Sequence, residues 1–246
     1  MDDVGARNRD QFDRPDVIDD YASMPGLTPC EHDLFTTYVP AGATVLDLGV
    51  GTGRTTAWLS QRASRYLGID YAPAMVAAAR RLHPDAEIRE GDASDLSDLA
   101  DGEFDVVVFS YNGIDYVDDE ARSRCLAEIH RVLVPGGTFV FSSHNPRHLL
   151  VSGAGVQGSA ARRAAAVGVM TGRRLLTRVP HPVFRHGQGW VLDHVRGGLH
   201  THMATPAHVT EELERHGFTP VARANGDQPA RASWYRTPWW YYVARR

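Results

Sequence analysis

The stretch Val45-Leu46-Asp47-Leu48-Gly49-Val50-Gly51-Thr52-Gly53-Arg54, with Leu67-Gly68-Ile69-Asp70 after it, constrains this chain more than any other part. An apolar run ends in a glycine-rich turn. A helix-like stretch follows, and then a second short apolar run that stops at an acid. Asp70 stands 19 residues beyond Gly51. This is the layout of a βαβ unit that binds a nucleoside: the glycines let backbone approach where a Cβ would intrude, and an acid at the tip of the second strand can accept from two ribose hydroxyls.

Apolar strands alternate with helical stretches through the first 144 residues. Strands are expected at Thr44–Leu48, Tyr66–Ile69, Ala86–Glu90, Phe104–Ser110 and Thr138–Ser142. Helices are expected at Val17–Ser23, Pro29–Val39, Gly53–Gln61, Pro73–Leu82 and Asp118–Leu133, with Thr28-x-x-Glu31 as a capping box and Pro29 in the first turn. Such alternation predicts a parallel sheet covered on both faces, with ligands bound beyond the carboxyl ends of the strands. Residues 1–14 read as a loose tail. No apolar run approaches the ~20 residues of a membrane helix.

Dinucleotide sites read G-x-G-x-x-G, whereas here the turn is G-x-G-x-G and Arg54 stands where the third glycine would fall. With the ordered strand ends that follow, including Leu133-Val-Pro-Gly-Gly-Thr-Phe-Val140, the chain resembles the class I S-adenosylmethionine (SAM) methyltransferases of the small-molecule type. The resemblance covers residues 44–144. It implies an α/β Rossmann-like fold with a seven-stranded, mostly parallel sheet, helices on both faces and a cap inserted after strand five. It divides the chain into a tail and helices over the site (1–40), a SAM-binding core (41–144), a substrate cap (145–204) and a closing helix and strands (205–246). It also assigns a cofactor site. Asp70 would hold the ribose, Tyr71 and Met75 the adenine face, and Asp92 and Ala93 the adenine edge. Ser110, Asp47, Gly49, Gly51, Gly53 and Arg54 would surround the methionyl end, with Tyr21 reaching over from the N-terminal helices. For Asp47, Arg54 and Tyr21 the alternatives are a turn-stabilising acid, a solvated helix residue and a helix staple.

Acceptor chemistry is read from the loops after strands four and five. Ser110-Tyr111-Asn112-Gly113-Ile114-Asp115-Tyr116 lacks the Asn/Asp-Pro-Pro-aromatic run of nucleobase amino-methylation. Tyr111, Asn112, Asp115, Tyr116 and Asn145 are placed on the acceptor side. His144, at the end of strand five, is the first choice for a general base, with capping of the loop as its alternative. In the expected hairpin Gly189–Val195/Leu199–Ala204, His200 and His202 share one face and could supply a second base or a polar clamp. No third ligand of recognisable spacing joins them, so no metal is assigned.

The insertion at 145–204 holds eight arginines (147, 162, 163, 173, 174, 178, 185, 196) against Asp193, and a helix is expected near Ser159–Leu176. Its charge fits recognition of an anionic acceptor, a nucleic-acid surface, or solvated helix faces. The formal net charge of −4 for the whole 246-residue chain speaks against nucleic acid. Lysine is absent, so a lysine base is excluded. Two isolated cysteines, Cys30 and Cys125, fit a cytoplasmic chain, monomeric or homodimeric, that methylates a small molecule on O or N. An RNA or protein methyltransferase and a non-catalytic SAM-binding partner subunit are the competing readings.

Overall fold

The computed structural model describes residues 4–150, 186–193, 198–226 and 237–246, with the single positions 164, 168 and 183. The helix expected near Ser159–Leu176 and all the insertion's arginines except Arg147 lie outside the described residues.

The element order is α1 (Val4–Phe12), α2 (Pro15–Ala22), α3 (Pro29–Tyr38), β1 (Thr44–Leu48), α4 (Thr56–Arg62), β2 (Arg65–Asp70), α5 (Pro73–Leu82), β3 (Ile88–Glu90), β4 (Phe104–Phe109), a 3-10 turn (Gly113–Tyr116), α6 (Asp119–Val132), β5 (Leu133–His144), a second 3-10 turn (Pro146–Leu150), β6 (Gln188–Asp193), β7 (Leu199–Ala204), α7 (Pro206–Arg215), β8 (Thr219–Asn225) and β9 (Trp239–Arg245). Seven strands form one sheet in the order β3-β2-β1-β4-β5-β9-β8. Neighbours from β3 to β5 pair in parallel, and β9 runs antiparallel to both β5 and β8. β6 and β7 form a separate antiparallel hairpin.

The period-two alternation of side chains in a strand divides β1 between two cores. Val45 packs with Cys30, Leu34, Phe35 and Leu59 from α3 and α4. Leu46 and Leu48 face the opposite layer with Cys125 and Ile129 of α6 and Val209 and Leu213 of α7. Each such large apolar side chain removed from water contributes about 1.5–3 kcal/mol. The capping box at α3 is present: the Glu31 amide donates to Thr28 Oγ1 at 3.2 Å and the Thr28 amide donates to Glu31 Oε2 at 2.7 Å.

Two expectations change. β5 starts at Leu133 rather than Thr138, because Phe104 pairs with Leu133 before a register irregularity that carries Pro135-Gly136-Gly137 along the strand. The segment read as a loose tail contains α1. Its stretch Val-Gly-Ala-Arg-Asn-Arg-Asp-Gln-Phe is polar, but Asn8 and Phe12, one turn apart, are both buried. Asn8 Nδ2 donates to the carbonyls of Tyr116 and His200, each at 2.8 Å, and its Oδ1 accepts the His200 amide at 2.9 Å. One side chain thus joins α1, the 3-10 turn after β4, and β7.

Candidate active site

The carboxyl ends of β1, β2, β3 and β4 open into a cavity lined by Gly49, Gly51, Asp70, Tyr71, Met75, Asp92, Ala93, Ser110, Tyr111 and Tyr116, with Phe12 and Tyr21 from the N-terminal helices. The aromatic members meet edge-on. Phe12 lies 6.1, 6.3 and 5.2 Å from the rings of Tyr21, Tyr71 and Tyr116, and Tyr111 lies 6.2 Å from Tyr21 and 5.8 Å from Trp239.

The three motif glycines do different things. All have positive φ, at +60°, +56° and +91° for Gly49, Gly51 and Gly53. A Cβ on Gly49 would come 2.7 Å from the Phe109 ring, and one on Gly53 would run into the His83 ring. A Cβ on Gly51 would meet nothing nearer than Tyr21, at 4.0 Å. Gly51 is therefore the glycine whose bareness opens the cavity. Gly53 serves the local packing and does not line the wall.

Asp70 is buried at the tip of β2. Its Oδ2 accepts the Gly51 amide at 2.8 Å and its Oδ1 the Ala72 amide at 2.9 Å. Burial pushes its carboxyl up to about 6 against the pull of those two amides. Both oxygens keep lone pairs to offer a ligand. Among the described residues the buried Tyr71 hydroxyl has no hydrogen-bond partner, an orphan polar atom beside the same cavity.

Several predicted residues sit elsewhere. Asp47 is turned beneath the glycine loop, where Oδ2 accepts from Thr55 Oγ1 at 2.6 Å and Tyr66 OH at 2.9 Å; it bonds hydroxyls and not the cavity. Burial pushes it up to about 6 as well. Arg54 is neither solvated nor free. Both its terminal nitrogens reach Glu31 at 2.5 Å, Nη1 also donates to the Gly26 carbonyl, and the guanidinium lies 4.9 Å from the centre of the Tyr111 ring. Glu31 also accepts from Ser110 Oγ and, at 2.5 Å, from Tyr241 OH. Burial alone would raise the Glu31 carboxyl, but the Arg54 charge and the hydroxyl donors outweigh it and hold it below the usual range. Residues 31, 54, 110 and 241 thus make a buried polar brace against the side of the cavity at the end of β4. Glu31 had been assigned only to the capping box.

Asn145 also leaves the acceptor side. Its Oδ1 accepts the Arg147 amide at 3.1 Å and its Nδ2 donates to the Thr237 carbonyl at 2.9 Å, so it caps the second 3-10 turn and pins the start of β9. Asp115 turns inward as well. It is fully buried, and its Oδ2 accepts the His144 amide at 2.7 Å and lies 2.8 Å from His144 Nδ1. His144 stands behind Tyr116, with ring centres 6.0 Å apart, and is not itself part of the cavity wall. Its Nε2 lies 3.3 Å from Asn112 Nδ2. Tyr111 and Asn112, at the end of β4, both hold left-handed φ values of +54° and +66°. Each is a strained conformation for a residue with a Cβ, of the kind that collects at functional sites.

His200 and His202 divide. His202 is buried, with Nδ1 3.9 Å from Asp115 Oδ1. His200 lines a second groove with Arg9, Tyr71, Asp92 and Trp190. Among the described residues no cluster of three or more metal-ligating side chains occurs, and no helix is long and apolar enough to cross a membrane.

Residues 45–137 match the family model described as a methyltransferase domain. Over that span the chain is similar to SAM-dependent methyltransferases. The chain is 38% identical over 105 residues to a probable SAM-dependent methyltransferase of Mycolicibacterium smegmatis (43% of this chain, 39% of that protein). It is 38% identical over 99 residues to a demethylmenaquinone methyltransferase of Beutenbergia cavernae (40% of each). The matches thus span about two fifths of the length of these relatives. The fold extends further. A Burkholderia thailandensis 1,6-didemethyltoxoflavin-N1-methyltransferase, solved with that compound and S-adenosylhomocysteine, superposes with a TM-score of 0.65 at 19% identity, over 98% of this chain and 88% of that one.

Proposed function

We propose that this methyltransferase domain binds SAM in the aromatic cavity and directs its methyl group to an oxygen or nitrogen of a small-molecule acceptor. The observation that carries the reading is the union, at one cavity, of Gly51 with its open Cβ position and Asp70 with its buried carboxylate. The wall fits an adenosyl compound on three counts: the bare glycine, the unpartnered Tyr71 hydroxyl, and an acid at the β2 tip. Asp70 would accept from the ribose, Tyr71 and Met75 would flank the adenine, and Asp92 and Ala93 would meet its edge. Gly49, Gly51 and Ser110 would face the methionyl end, where Arg54, held by Glu31, acts through Ser110 and Tyr111. When bound, SAM supplies a sulfonium-activated methyl carbon.

The chain's own contribution is placement and dryness. Phe12 and Tyr21 roof the cavity and exclude water. Tyr111 and Tyr116 set the boundary between the cofactor and the acceptor. His144, one ring behind Tyr116, is the base we assign to the acceptor's proton. The small-molecule reading draws on the demethylmenaquinone and 1,6-didemethyltoxoflavin in the names of the two similar proteins above.

The test is calorimetry with SAM and S-adenosylhomocysteine on the purified protein. Binding of the homocysteine product in the micromolar range is expected, weakened roughly 100-fold or more in Asp70→Ala, on the scale of two lost hydrogen bonds to a charged group. Absence of heat from both compounds would refute the reading.

A further inference from the structure

Behind His144 lies a closed set of charges that methyl transfer does not by itself require. Asp115 Oδ1 accepts from Ser143 Oγ at 2.8 Å and from Arg122 Nη1 at 2.9 Å. Its Oδ2 takes the backbone amide and Nδ1 of His144. Arg122, itself buried, grips Glu212 of α7 with Nε at 2.8 Å and Nη2 at 2.9 Å, a two-pronged pair. His202 from β7 faces the same carboxylate at 3.9 Å, too far for a hydrogen bond, and the Tyr242 hydroxyl from β9, near Asp115, Arg122 and Glu212, has no partner among the described residues.

The hydrogen bonds define the tautomer of His144. A carboxylate can only accept, so Nδ1 carries the proton. Nε2 keeps its lone pair, and the amide nitrogen of Asn112 is its long-range donor. The charges then do not cancel. Asp115 and Glu212 bring two negatives and Arg122 one positive, so apart from the imidazoles the cluster carries an excess of one negative charge in a largely buried place. Separation of charge is felt strongly where water is excluded.

We propose that Asp115 is the positioning residue for His144, and that Asp115, Arg122 and Glu212 together keep one negative charge in reserve for an imidazolium at position 144. The proposal rests on the methyltransferase reading for the source of the proton. It narrows the acceptor to an O–H or N–H group. As the acceptor's lone pair forms its bond to the methyl carbon, the carbon–sulfur bond breaks with its electron pair left on sulfur. The acceptor's proton passes to His144 Nε2, displacing the Asn112 contact. The positive charge lost at sulfur is regained on the imidazole, where the cluster neutralises it. Asp115 does not take the proton. Burial pushes its carboxyl up, but the hydrogen bond from His144 and the nearby His202 and Arg122 outweigh that and hold it far below the usual range.

The experiment is nitrogen-15 NMR of the histidine rings, on the free protein and on its complex with S-adenosylhomocysteine. In the parent, neutral His144 should show the proton on Nδ1. In Asp115→Asn the tautomers should redistribute, and the imidazole should hold its proton about tenfold less tightly, the effect of one adjacent buried charge removed. Glu212→Gln, at the cluster's outer end, should act in the same direction by about two- to threefold. Glu212→Gln decides alone if Asp115→Asn does not fold. An unchanged tautomer and proton affinity in the folded variants would overturn the proposal and leave the cluster a purely structural clasp. Failure of the parent to bind S-adenosylhomocysteine would sink the methyltransferase reading while leaving the ring titration intact, so the two failures are separable.

Discussion

Asp70 and Asp115 are both buried carboxylates at the carboxyl-end side of the sheet, one at the tip of β2 and one in the turn after β4, yet their surroundings have opposite characters. Asp70 is held by two neutral backbone amides and faces a cavity. Asp115 is held by a guanidinium, an imidazole, a hydroxyl and an amide, and does not line that cavity. Burial raises the first to about 6 and is overruled at the second. The lesson is that depth alone does not decide whether a buried acid is charged; the partners do. An acid left partly unsatisfied is open to a ligand, whereas one saturated by its own protein is a structural and electrostatic fixture.

The largest expected effect strikes the saturated side. Arg122→Met leaves Asp115 and Glu212 buried without their cation and should cost about 3–5 kcal/mol of stability in urea unfolding. A loss under 1 kcal/mol would show that the cluster is wetter than its geometry says. Next comes Asp70→Ala, which should weaken S-adenosylhomocysteine binding by about 3 kcal/mol while changing the unfolding midpoint much less, since it removes no cation and no large apolar contact. If stability fell as far as for Arg122→Met, Asp70 would prove to be a fixture of the same kind.

The glycines sharpen the contrast at a smaller scale. Gly49→Ala must both push the Phe109 ring and hold a positive φ, so about 1–3 kcal/mol of fold stability should go. Gly51→Ala carries only the φ strain, about 1–2 kcal/mol, and should show its main effect in ligand affinity because its new methyl points into the cavity. Equal effects on both readouts would erase the division between packing and ligand-facing glycines.

Smallest is the response to pH. The folded-state pKa of Asp70 lies above the ~3.9 of an unfolded aspartate. The unfolded chain therefore releases that proton first, and both Asp70 and Asp47 subtract stability as pH rises from about 4 to about 6. Asp115, depressed, contributes stability above pH ~3.9 and loses it only in stronger acid. A ligand that needs ionised Asp70 should bind about tenfold more weakly at pH 5 than at pH 7. A flat profile would mean that the protonated acid serves as well.

Much of the framework was legible because it rests on local signals. The β1–Gly–α4–β2 run, the α3 capping box and the amphipathic pattern of α6 depend on residues near one another in the chain. The long-range features were not. Asn8 owes its burial to partners 108 and 192 residues away, and nothing in a polar nine-residue segment announces them. The Glu31 brace spans residues 31 to 241. Arg122 did leave a trace: it shares a face of α6 with Cys125, Leu126 and Ile129, at helical spacings of three, four and seven, so a cation on an apolar stripe marked a buried ion pair. The position of Asp115 could not be read in this way, since an acid in a short turn after a strand has no periodicity to show which way it points.

The seam between β5 and β8 carries a consequence for how the molecule is made. Among the described residues β8 joins the sheet through β9 alone, so a ribosome delivers it before its partner strand exists. Until residues 239–245 emerge, the outer rim of β5 offers an unsatisfied row of amides and carbonyls from Thr138 to His144. Nascent chains halted before Trp239 should therefore be sticky intermediates that chaperones recognise. Completion of the last strand would cover that rim and deliver the Tyr241 hydroxyl to Glu31 in one event.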